Sequence, residues 1–408
     1  MMGRVVLKRG REESLRRYHP WIFSGAVASV EGDLYEGEAV EVVAADGSTL
    51  AVGHWQKGSI AVRILNFGNG FMPGPDGLMP DEFWEKRISE ALRMRSVLGL
   101  PDADGSTTCF RLVHGEGDSL PGLIVDVYGE VAVIQAHSAG MYLSAERVAA
   151  ALMRCCSGFI KSVYNKSTGT APHRAGLDLQ DGYLTEPYVS GNETSVSENG
   201  HSFLVDWATG QKTGFFLDQR DNRALVGQYA AGRRVLYLFC YTGGFSIYAL
   251  NGGAASVVSV DSSAVAVNML RRNVKLNTGN EDASGRHSAV CSDAMEYLRD
   301  IPAGYFDLMV VDPPAFAKHR DVLDNAMRAY RRLNAAAIGK IAQGGLLFTY
   351  SCSQAVDRKS FELAVFTAAA QTGRPVRILR RLTQPADHPV NIYHPEGAYL
   401  KGLLLYVE

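Results

Sequence analysis

The apolar residues in the second half of the chain fall into short strand-like runs, with longer segments of helical periodicity between them. The runs lie at residues 235–238, 255–260, 287–291, 306–311 and 346–350. Runs of this length are typical of strands that are covered on both faces of a parallel sheet. Strands that alternate with helices predict an α/β fold with a doubly wound, Rossmann-like sheet. We expect this domain to span residues 191–408.

The N-terminal segment has a different pattern, with short β-rich runs separated by turns. These runs lie at residues 39–44, 49–54 and 60–65. Because they are short and closely spaced, they predict a small β-barrel, which we place at residues 1–71.

A linker separates this barrel from the next part of the chain. The sequence FMPGPDG at residues 71–77 is rich in the residues that favour turns. After it, residues 82–98 and 142–155 have helical periodicity, with strand-like runs between them. The pattern predicts an α+β middle domain over residues 72–190.

A glycine turn follows the first predicted strand of the α/β domain. It contains Tyr241, Thr242, Gly243 and Gly244, and glycines allow a ligand to approach the backbone closely. Asp261 ends the next predicted strand, about twenty residues further on, where a carboxylate can bind both hydroxyls of a ribose. The spacing therefore favours a nucleoside cofactor. An ordinary βαβ turn with a solvated aspartate fits the same residues equally well.

Three further polar residues end other predicted strands of this sheet. Asp293, Asp312 and Cys352 each come at a carboxyl end, the edge where ligands bind in such sheets. Each has an ordinary explanation, since an aspartate before a helix is often an N-cap and a cysteine is often a small buried apolar residue. The coincidence of these placements with Asp261 favours a site. Pro313 and Pro314 hold the loop after Asp312 rigid.

Composition and charge limit the class of protein. The chain has 408 residues, of which 46% are hydrophobic and 21% are charged, as in soluble globular proteins. The N-terminus lacks an apolar signal core, which predicts a cytoplasmic protein. The six cysteines include no CxxC pair, so we expect reduced thiols and assign no metal site.

A basic patch near the N-terminus is the candidate surface for nucleic acid. Because the net charge is only −2, any affinity for nucleic acid must come from a local patch. The patch lies beside several aromatic residues, a combination that suits phosphates and stacked bases, although a solvated face explains it as well. Its members are Arg4, Lys8, Arg9, Arg11 and Arg16.

In their order and spacing, these motifs resemble the class I S-adenosylmethionine-dependent methyltransferases that make 5-methylcytosine in large-subunit ribosomal RNA. The α/β motifs are LYLFCYTGGF at residues 236–245, Asp261, Ser292-Asp293-Ala294, Asp312-Pro313-Pro314 and Ser351-Cys352-Ser353. HPWIFSGA at residues 19–26 is similar to the PUA domain of that family. RLVHGEGDSLPGLIVDVYG resembles its middle domain, and KTGFFLDQRDNR and PEGAYLKG resemble its flanking motifs. Ala315 departs from the pattern, since many relatives carry lysine there.

The resemblance implies a cofactor and its ligands. S-adenosylmethionine would lie with its methionine part at the glycine turn, its ribose at Asp261 and its adenine at Asp293 and Ala294. NAD is the alternative, but the turn is not GxGxxG. The residues expected to hold the cofactor are Phe215, Arg220, Tyr241, Thr242, Gly243, Gly244, Asp261, Ser262, Asp293, Ala294 and Asp312.

The resemblance also implies a mechanism and a partner. Cys352 would add to carbon 6 of a cytosine, and Asp312 would bind the ring to stabilise the developing charge. The base that later removes the proton from carbon 5 is not identified by the sequence. Two other functions remain open, a methyltransferase for a purine nitrogen of rRNA and an RNA-binding assembly factor without catalysis. The expected partner is large-subunit rRNA, and a homodimer is left open.

Overall fold

A mixed six-stranded sheet forms the N-terminal part of the chain. The computed structural model describes residues 3–68, 70–316 and 323–408. The strands are β1 (Arg4–Leu7), β2 (Trp21–Phe23), β3 (Val27–Glu31), β4 (Ala39–Val43), β5 (Thr49–Trp55) and β6 (Ile60–Phe67), with helix α1 (Glu13–Arg16) after β1. Their order in the sheet is β2-β6-β5-β4-β1-β3. Alternate apolar residues such as Val40, Val42, Val62 and Ile64 form its core, and the three strands predicted from the sequence are present.

A five-stranded sheet with helices forms the middle part. The strands are β7 (Cys109–His114), β8 (Leu123–Tyr128), β9 (Val131–Ala136), β10 (Ser162–Asn165) and β11 (Gly182–Tyr183), and the helices are α2 (Asp81–Val97), α3 (Ala139–Leu143) and α4 (Ala145–Cys155). The helix predicted at residues 142–155 is confirmed over Ala145–Cys155, and a separate short helix, Ala139–Leu143, precedes it with Ser144 between the two. The Ser144 hydroxyl donates to Gly140 O (2.8 Å), which also accepts from Ser144 N (3.1 Å).

The α/β part contains a seven-stranded sheet, which confirms the predicted fold class. A hairpin of β12 (Glu193–Glu198) and β13 (His201–Asp206) precedes it. The sheet strands are β14 (Arg234–Leu238), β15 (Ser256–Asp261), β16 (His287–Cys291), β17 (Leu308–Val311), β18 (Gly345–Ser351), β19 (Val376–Leu382) and β20 (Lys401–Val407). The helices are α5 (Arg220–Tyr229), α6 (Gly244–Asn251), α7 (Ala264–Thr278), α8 (Ala294–Asp300), α9 (Leu323–Lys340) and α10 (Arg358–Thr372).

The order of strands in this sheet indicates the edge at which a ligand is expected to bind. The order is β16-β15-β14-β17-β18-β20-β19, and β14 to β18 run parallel while β20 is antiparallel to both of its neighbours. The chain moves outward from β14 on one side and from β17 on the other. Ligands of open parallel sheets bind at the carboxyl ends of the strands where the order reverses in this way.

The chain forms two compact units. The first contains the residues up to Ser197 together with Val205–Leu217 and Ala386–Gly397, and the second contains Glu198–Leu204, Asp218–Pro385 and Ala398–Glu408. The division at residues 1–71, 72–190 and 191–408 stays a prediction. No helix of the described ranges is long and apolar enough to cross a membrane.

The segment Ala386–Gly397, here called the C-terminal strap, belongs to the first unit although it lies near the end of the chain. Arg95 Nη2 donates to Asp387 O (2.8 Å), and Arg111 N donates to Asp387 Oδ2 (3.0 Å). Asn391 Nδ2 donates to Glu116 O (3.1 Å). These bonds tie the strap to the middle part of the first unit.

Candidate active site

The carboxyl ends of five neighbouring parallel strands carry most of the predicted site residues of the second unit. Asp293 follows β16, Asp261 ends β15, Tyr241 follows β14, Asp312 follows β17 and Cys352 follows β18. Since parallel strands end at one edge, the sheet brings these residues to one side. The structure therefore bears out their placement, while their roles stay proposals.

The loop between β14 and α6 has an unusual backbone. Phe239 (φ 62°) and Tyr241 (φ 46°) adopt the left-handed region that few residues other than glycine occupy. Gly243 (φ 86°) has a positive φ that L side chains rarely adopt, and a Cβ there would also displace the Leu270 side chain, whose Cδ1 would lie 2.0 Å away. The Thr242 hydroxyl is buried and has no hydrogen-bond partner among the described residues. Strain of this kind is concentrated at ligand sites, and an orphaned hydroxyl is a polar group that a ligand can satisfy.

Asp261 is anchored by the loop that it faces. Its Oδ2 accepts from Tyr241 N (2.9 Å) and its Oδ1 accepts from Ser263 N (2.9 Å). Each carboxylate oxygen has about two acceptor positions, so both oxygens can still accept a ribose hydroxyl. Ser262, between Asp261 and the start of α7, accepts through its carbonyl from Cys291 Sγ (3.5 Å).

Asp293 and Ala294 begin α8. Asp293 Oδ1 accepts from Met295 N (2.8 Å) and Glu296 N (3.0 Å), so this residue is a helix N-cap, as the ordinary explanation of the sequence required. Ala294 is buried. Contact of Asp293 and Ala294 with the adenine of the cofactor would be a further role besides helix capping, and it stays a proposal.

The remaining two predicted cofactor residues lie in different units. Arg220 is the first residue of α5 in the second unit and is buried. Phe215 belongs to the first unit, where its N donates to the Tyr128 hydroxyl (3.3 Å), which in turn donates to Phe215 O (3.2 Å). Their role in holding the cofactor stays a prediction.

Asp312 lies in a polar network that the sequence did not indicate. Its Oδ1 accepts from Gln219 Nε2 (3.1 Å), and Gln219 Oε1 accepts from Asn222 Nδ2 (2.6 Å). Although part of the residue is exposed, protein atoms surround its carboxyl group. This burial, together with repulsion from Asp218, raises the pKa of Asp312 to about 7. The carboxyl group can therefore donate or accept a proton near neutral pH.

Cys352 lies beside the loop that carries Asp312. Its Sγ is 3.9 Å from Pro313 O, and the residue is partly exposed. Ser351, the last residue of β18, donates through Oγ to the Tyr330 hydroxyl (2.9 Å). The thiol and the Asp-Pro-Pro loop are thus neighbours at the ends of two adjacent strands.

A buried ion pair supports the start of α6. Arg223 Nε donates to Glu198 Oε1 (2.8 Å) and Arg223 Nη2 donates to Glu198 Oε2 (2.6 Å). Tyr248 OH also donates to Glu198 Oε1 (3.0 Å). A Cβ on Gly244 would lie 2.8 Å from Arg223 Cδ, so glycine is needed where this pair supports the turn.

The five residues of the basic patch are all exposed in the first unit. Arg4 Nε donates to Glu41 Oε2 (2.6 Å), and Lys8 Nζ donates to Gly25 O (2.9 Å). Arg4 is therefore partly neutralised. Arg9, Arg11 and Arg16 are exposed and make no bond of this kind with the residues that the structure describes.

An exposed group of aromatic rings lies in the same unit and was missed by the sequence reasoning. The Tyr18 ring lies 5.4 Å from the Phe67 ring and 5.3 Å from the Tyr393 ring, measured between centroids. Tyr18 is 51% exposed and has a φ of 63°. Tyr393 comes from the C-terminal strap, so no local sequence signal could place it here.

Metal binding has no candidate in the described ranges. No three His, Cys, Asp or Glu side chains among these residues form a group that could hold a metal ion. The absence of a metal from the function stays a prediction.

Comparisons with known proteins agree with this geometry. Residues 173–405 match the family described as S-adenosylmethionine-dependent methyltransferase, and residues 5–67 match the PUA-like domain. The chain is 39% identical to ribosomal RNA large subunit methyltransferase I of Aeromonas salmonicida, with 98% of each chain covered. It is 38% identical to the protein of the same name from Shewanella amazonensis, with 100% of each covered.

Solved structures show the same fold. The crystal structure of SMU.776 complexed with SAH has a TM-score of 0.82 at 21% identity and covers 100% of both chains. A protein from Streptococcus mutans has a TM-score of 0.81 at 20% identity, again over 100% of both chains. Because of the two matched family models and the relatives that are 38–39% identical over nearly the whole chain, the chain belongs to the family of S-adenosylmethionine-dependent methyltransferases with a PUA-like domain that includes the proteins named ribosomal RNA large subunit methyltransferase I. S-adenosylmethionine is its cofactor.

Asp261→Ala is expected to weaken the binding of S-adenosylmethionine by about 1.5 kcal/mol or more, the scale of a hydrogen bond to a charged group. The reason is that Asp261, at the end of β15, is the residue predicted to bind the ribose hydroxyls. Calorimetry measures the change. Asp307→Ala, which removes the carboxylate just before β17, is the control. Undiminished affinity in Asp261→Ala would place the ribose elsewhere.

Proposed function

We propose that this protein transfers the methyl group of S-adenosylmethionine to carbon 5 of a cytosine in large-subunit rRNA, with Cys352 as the nucleophile. The observation that carries the proposal is the position of the Cys352 thiol beside Pro313, in the loop that begins at Asp312. The names of the relatives, which are 37–39% identical over nearly the whole chain, support rRNA as the substrate.

The chemistry explains why a thiol and a carboxyl group are both needed. Carbon 5 of cytosine is a poor nucleophile, and addition of a thiolate to carbon 6 turns the ring into an enamine that can attack an electrophile. Bound S-adenosylmethionine supplies that electrophile as a methyl group on a sulfonium. Asp312, which is partly protonated near neutral pH, can hydrogen-bond ring nitrogen 3 as the negative charge develops.

A second step must release the enzyme. After carbon 5 gains the methyl group, a base removes the proton on that carbon, and the bond between Cys352 and carbon 6 breaks. The residue that serves as this base is not assigned. Residues 312–318 contain no second cysteine, so the proposal does not rely on one.

The rival functions are less consistent with the site. Methyl transfer to a purine nitrogen needs no thiol, because the nitrogen lone pair is already nucleophilic. A non-catalytic assembly factor needs neither the thiol nor a carboxyl group with a raised pKa. The neighbouring positions of Cys352 and Asp312 favour the cytosine reaction over both.

The methylated product identifies the reaction. Large-subunit rRNA from cells that lack the protein, incubated with the enzyme and S-adenosylmethionine, is expected to gain one 5-methylcytidine, as seen by mass spectrometry of its nucleosides. A methyl group on a purine nitrogen would favour the first rival. No methylation in rRNA or in ribosomal particles would favour the assembly factor.

The basic patch and the ring group of Tyr18, Phe67 and Tyr393 are proposed to bind this RNA. Replacing Arg9, Arg11 and Arg16 by glutamine is expected to weaken RNA binding. The slope of log K against the logarithm of the salt concentration should become shallower by about 0.7 to 0.9 for each lost phosphate contact.

Tyr18→Leu should weaken RNA binding by about 1 kcal/mol or more and leave this slope unchanged, since stacking releases no counterions. Filter binding at several salt concentrations measures both.

The control for this experiment is Arg174→Gln, which changes an exposed arginine of the same unit outside the patch. Its salt dependence should equal that of the wild type. An unchanged slope in the triple arginine variant would show that the patch is a solvated face.

A further inference from the structure

Lys401 places a buried ammonium group beside the turn that carries Cys352. It is the first residue of β20, is 4% exposed and pairs with Ser351 of β18. Its Nζ donates to Ser353 O (2.5 Å) and Tyr399 O (2.7 Å). Ser351 and Ser353 are the two neighbours of Cys352 in the chain, so the register of β18 and β20 brings the ammonium group to the turn that carries Cys352, close enough for the two groups to interact electrostatically.

The surroundings of Lys401 disfavour the protonated, charged form of its amine. Both of its acceptors are uncharged carbonyls, and the charged or titratable groups that act on it are Cys352, Asp357 and Arg358. Burial lowers the pKa of Lys401 to about 8, and a Cys352 thiolate opposes that change. The Asp357 carboxylate is engaged as the cap of α10 through Ser360 N (2.7 Å). Lysines shifted in this way can exchange protons near physiological pH.

Cys352 has a second titratable neighbour. Tyr330 accepts a hydrogen bond from Ser351, and burial raises its pKa to about 12. The tyrosine is therefore neutral in the range where a thiol titrates, and it cannot take the thiol proton there. Asp312 also titrates near neutral pH, but it becomes an anion and does not stabilise a thiolate. Lys401 is therefore, among the described residues near Cys352, the cation whose charge changes in the range where a thiol titrates.

We propose that Lys401 is the positioning residue that takes the proton of Cys352 and holds the resulting thiolate beside an ammonium group. A neutral amine has two N–H groups and one lone pair. With both N–H groups donated to the two carbonyls, the lone pair can accept the thiol proton. The S–H bond breaks and a third N–H bond forms, so the transfer needs no other reactant. The inference rests on the proposed function, in which Cys352 is the nucleophile.

A purely structural Lys401 would make the same two hydrogen bonds. It would join the turn after β18 to the residues before β20 and would stabilise the fold. It would not change the pH at which Cys352 ionises. The titration of the thiol therefore separates the two roles.

The experiment measures the rate at which iodoacetamide alkylates Cys352 in the full chain between about pH 5.5 and 9.5, because only the thiolate reacts. Mass spectrometry of peptides resolves Cys352 from Cys291, whose exposed thiol is an internal control. The wild type is expected to react with a midpoint below about 8.5, the ordinary value of a cysteine. Lys401→Met should raise the midpoint by about one pH unit or more, which slows the reaction about tenfold at low pH. Lys401→Arg, which keeps the positive charge but cannot take the proton, should keep a midpoint below that of Lys401→Met because the charge still favours the thiolate.

Two results would overturn the inference. The first is a wild-type midpoint at or above the ordinary value, which needs no variant and so does not depend on whether one folds. The second is a folded Lys401→Met protein with the wild-type profile. The alkylation assay contains neither RNA nor S-adenosylmethionine. A negative result in it is therefore distinct from a negative result for the proposed reaction, which is detected through the methylated nucleoside.

Discussion

Cys352→Ala will form no covalent complex with RNA that carries 5-fluorocytidine at the target position, whereas the wild type will be trapped on it. Fluorine cannot leave carbon 5 as a proton does, so the bond from the thiol to carbon 6 persists after methyl transfer. Loss of a nucleophile typically lowers turnover by about 10⁴-fold or more, and we expect methylation by Cys352→Ala to fall below detection. Denaturing gels and mass spectrometry of the adduct measure both effects.

Matched controls separate the nucleophile from the other thiols of the second unit. Cys291→Ala removes an exposed thiol and should leave the adduct unchanged. Cys352→Ala itself should still bind S-adenosylmethionine, as calorimetry will show. An adduct mapped to Cys240 or Cys291 would contradict the assignment of Cys352, and full methylation by Cys352→Ala would favour a purine nitrogen as the target.

Much of the second unit could be predicted from the sequence because the central strands of its sheet, β14, β17 and β18, are buried on both faces. Such strands must be apolar throughout, so β14 and β18 can be recognised in the sequence as short apolar runs. The polar residues at which these strands end can be recognised because they interrupt the runs. Asp261 and Asp312 were placed at strand ends for this reason. The parallel order then follows from the helices between the strands.

The side-chain partners of these residues could not be predicted, because they come from distant parts of the chain. Gln219 reaches Asp312 across 93 residues, and Lys401 reaches Ser353 across 48. Neither glutamine nor lysine carries a local signal for such a contact. The raised pKa of Asp312 depends on burial, which only the folded chain defines.

The C-terminal strap shows the same limit at the level of domains. Ala386–Gly397 is close in sequence to β19 and β20, so it was assigned to the α/β domain. The structure places it in the first unit, where Asp387 bonds to Arg95 and Arg111. Such a segment has no periodicity of its own that would indicate which part of the chain it packs against.

Asp312→Asn is expected to remove the alkaline limb of the pH profile of adduct formation and to lower its maximum rate by about 10²- to 10³-fold, the scale of losing one catalytic electrostatic contact, because an amide is a weaker donor than a carboxylic acid and cannot give up a proton. The raised pKa of Asp312, about 7, means that the neutral acid becomes scarce as pH rises above that value. The thiolate becomes scarce as pH falls. The wild-type rate should therefore pass through a maximum, and an asparagine, which does not titrate, should leave only the acid limb. Single-turnover rates of trapping on 5-fluorocytidine RNA give the profile.

The same pKa predicts an effect on stability that checks the assignment without any substrate. Because the folded pKa of about 7 exceeds the ordinary value of 3.8, the folded protein binds this proton more tightly than the unfolded chain does. The contribution of Asp312 to stability is thus present at low pH and is lost as pH rises through 7. Asp312→Asn should consequently raise the Tm more above pH 7 than in mildly acidic solution. Asp307→Asn is the control, since the adjacent Arg234 lowers the pKa of Asp307. A rate profile with an intact alkaline limb in Asp312→Asn, together with a pH-independent change in Tm, would show that Asp312 is ionised throughout and acts only as a hydrogen-bond acceptor.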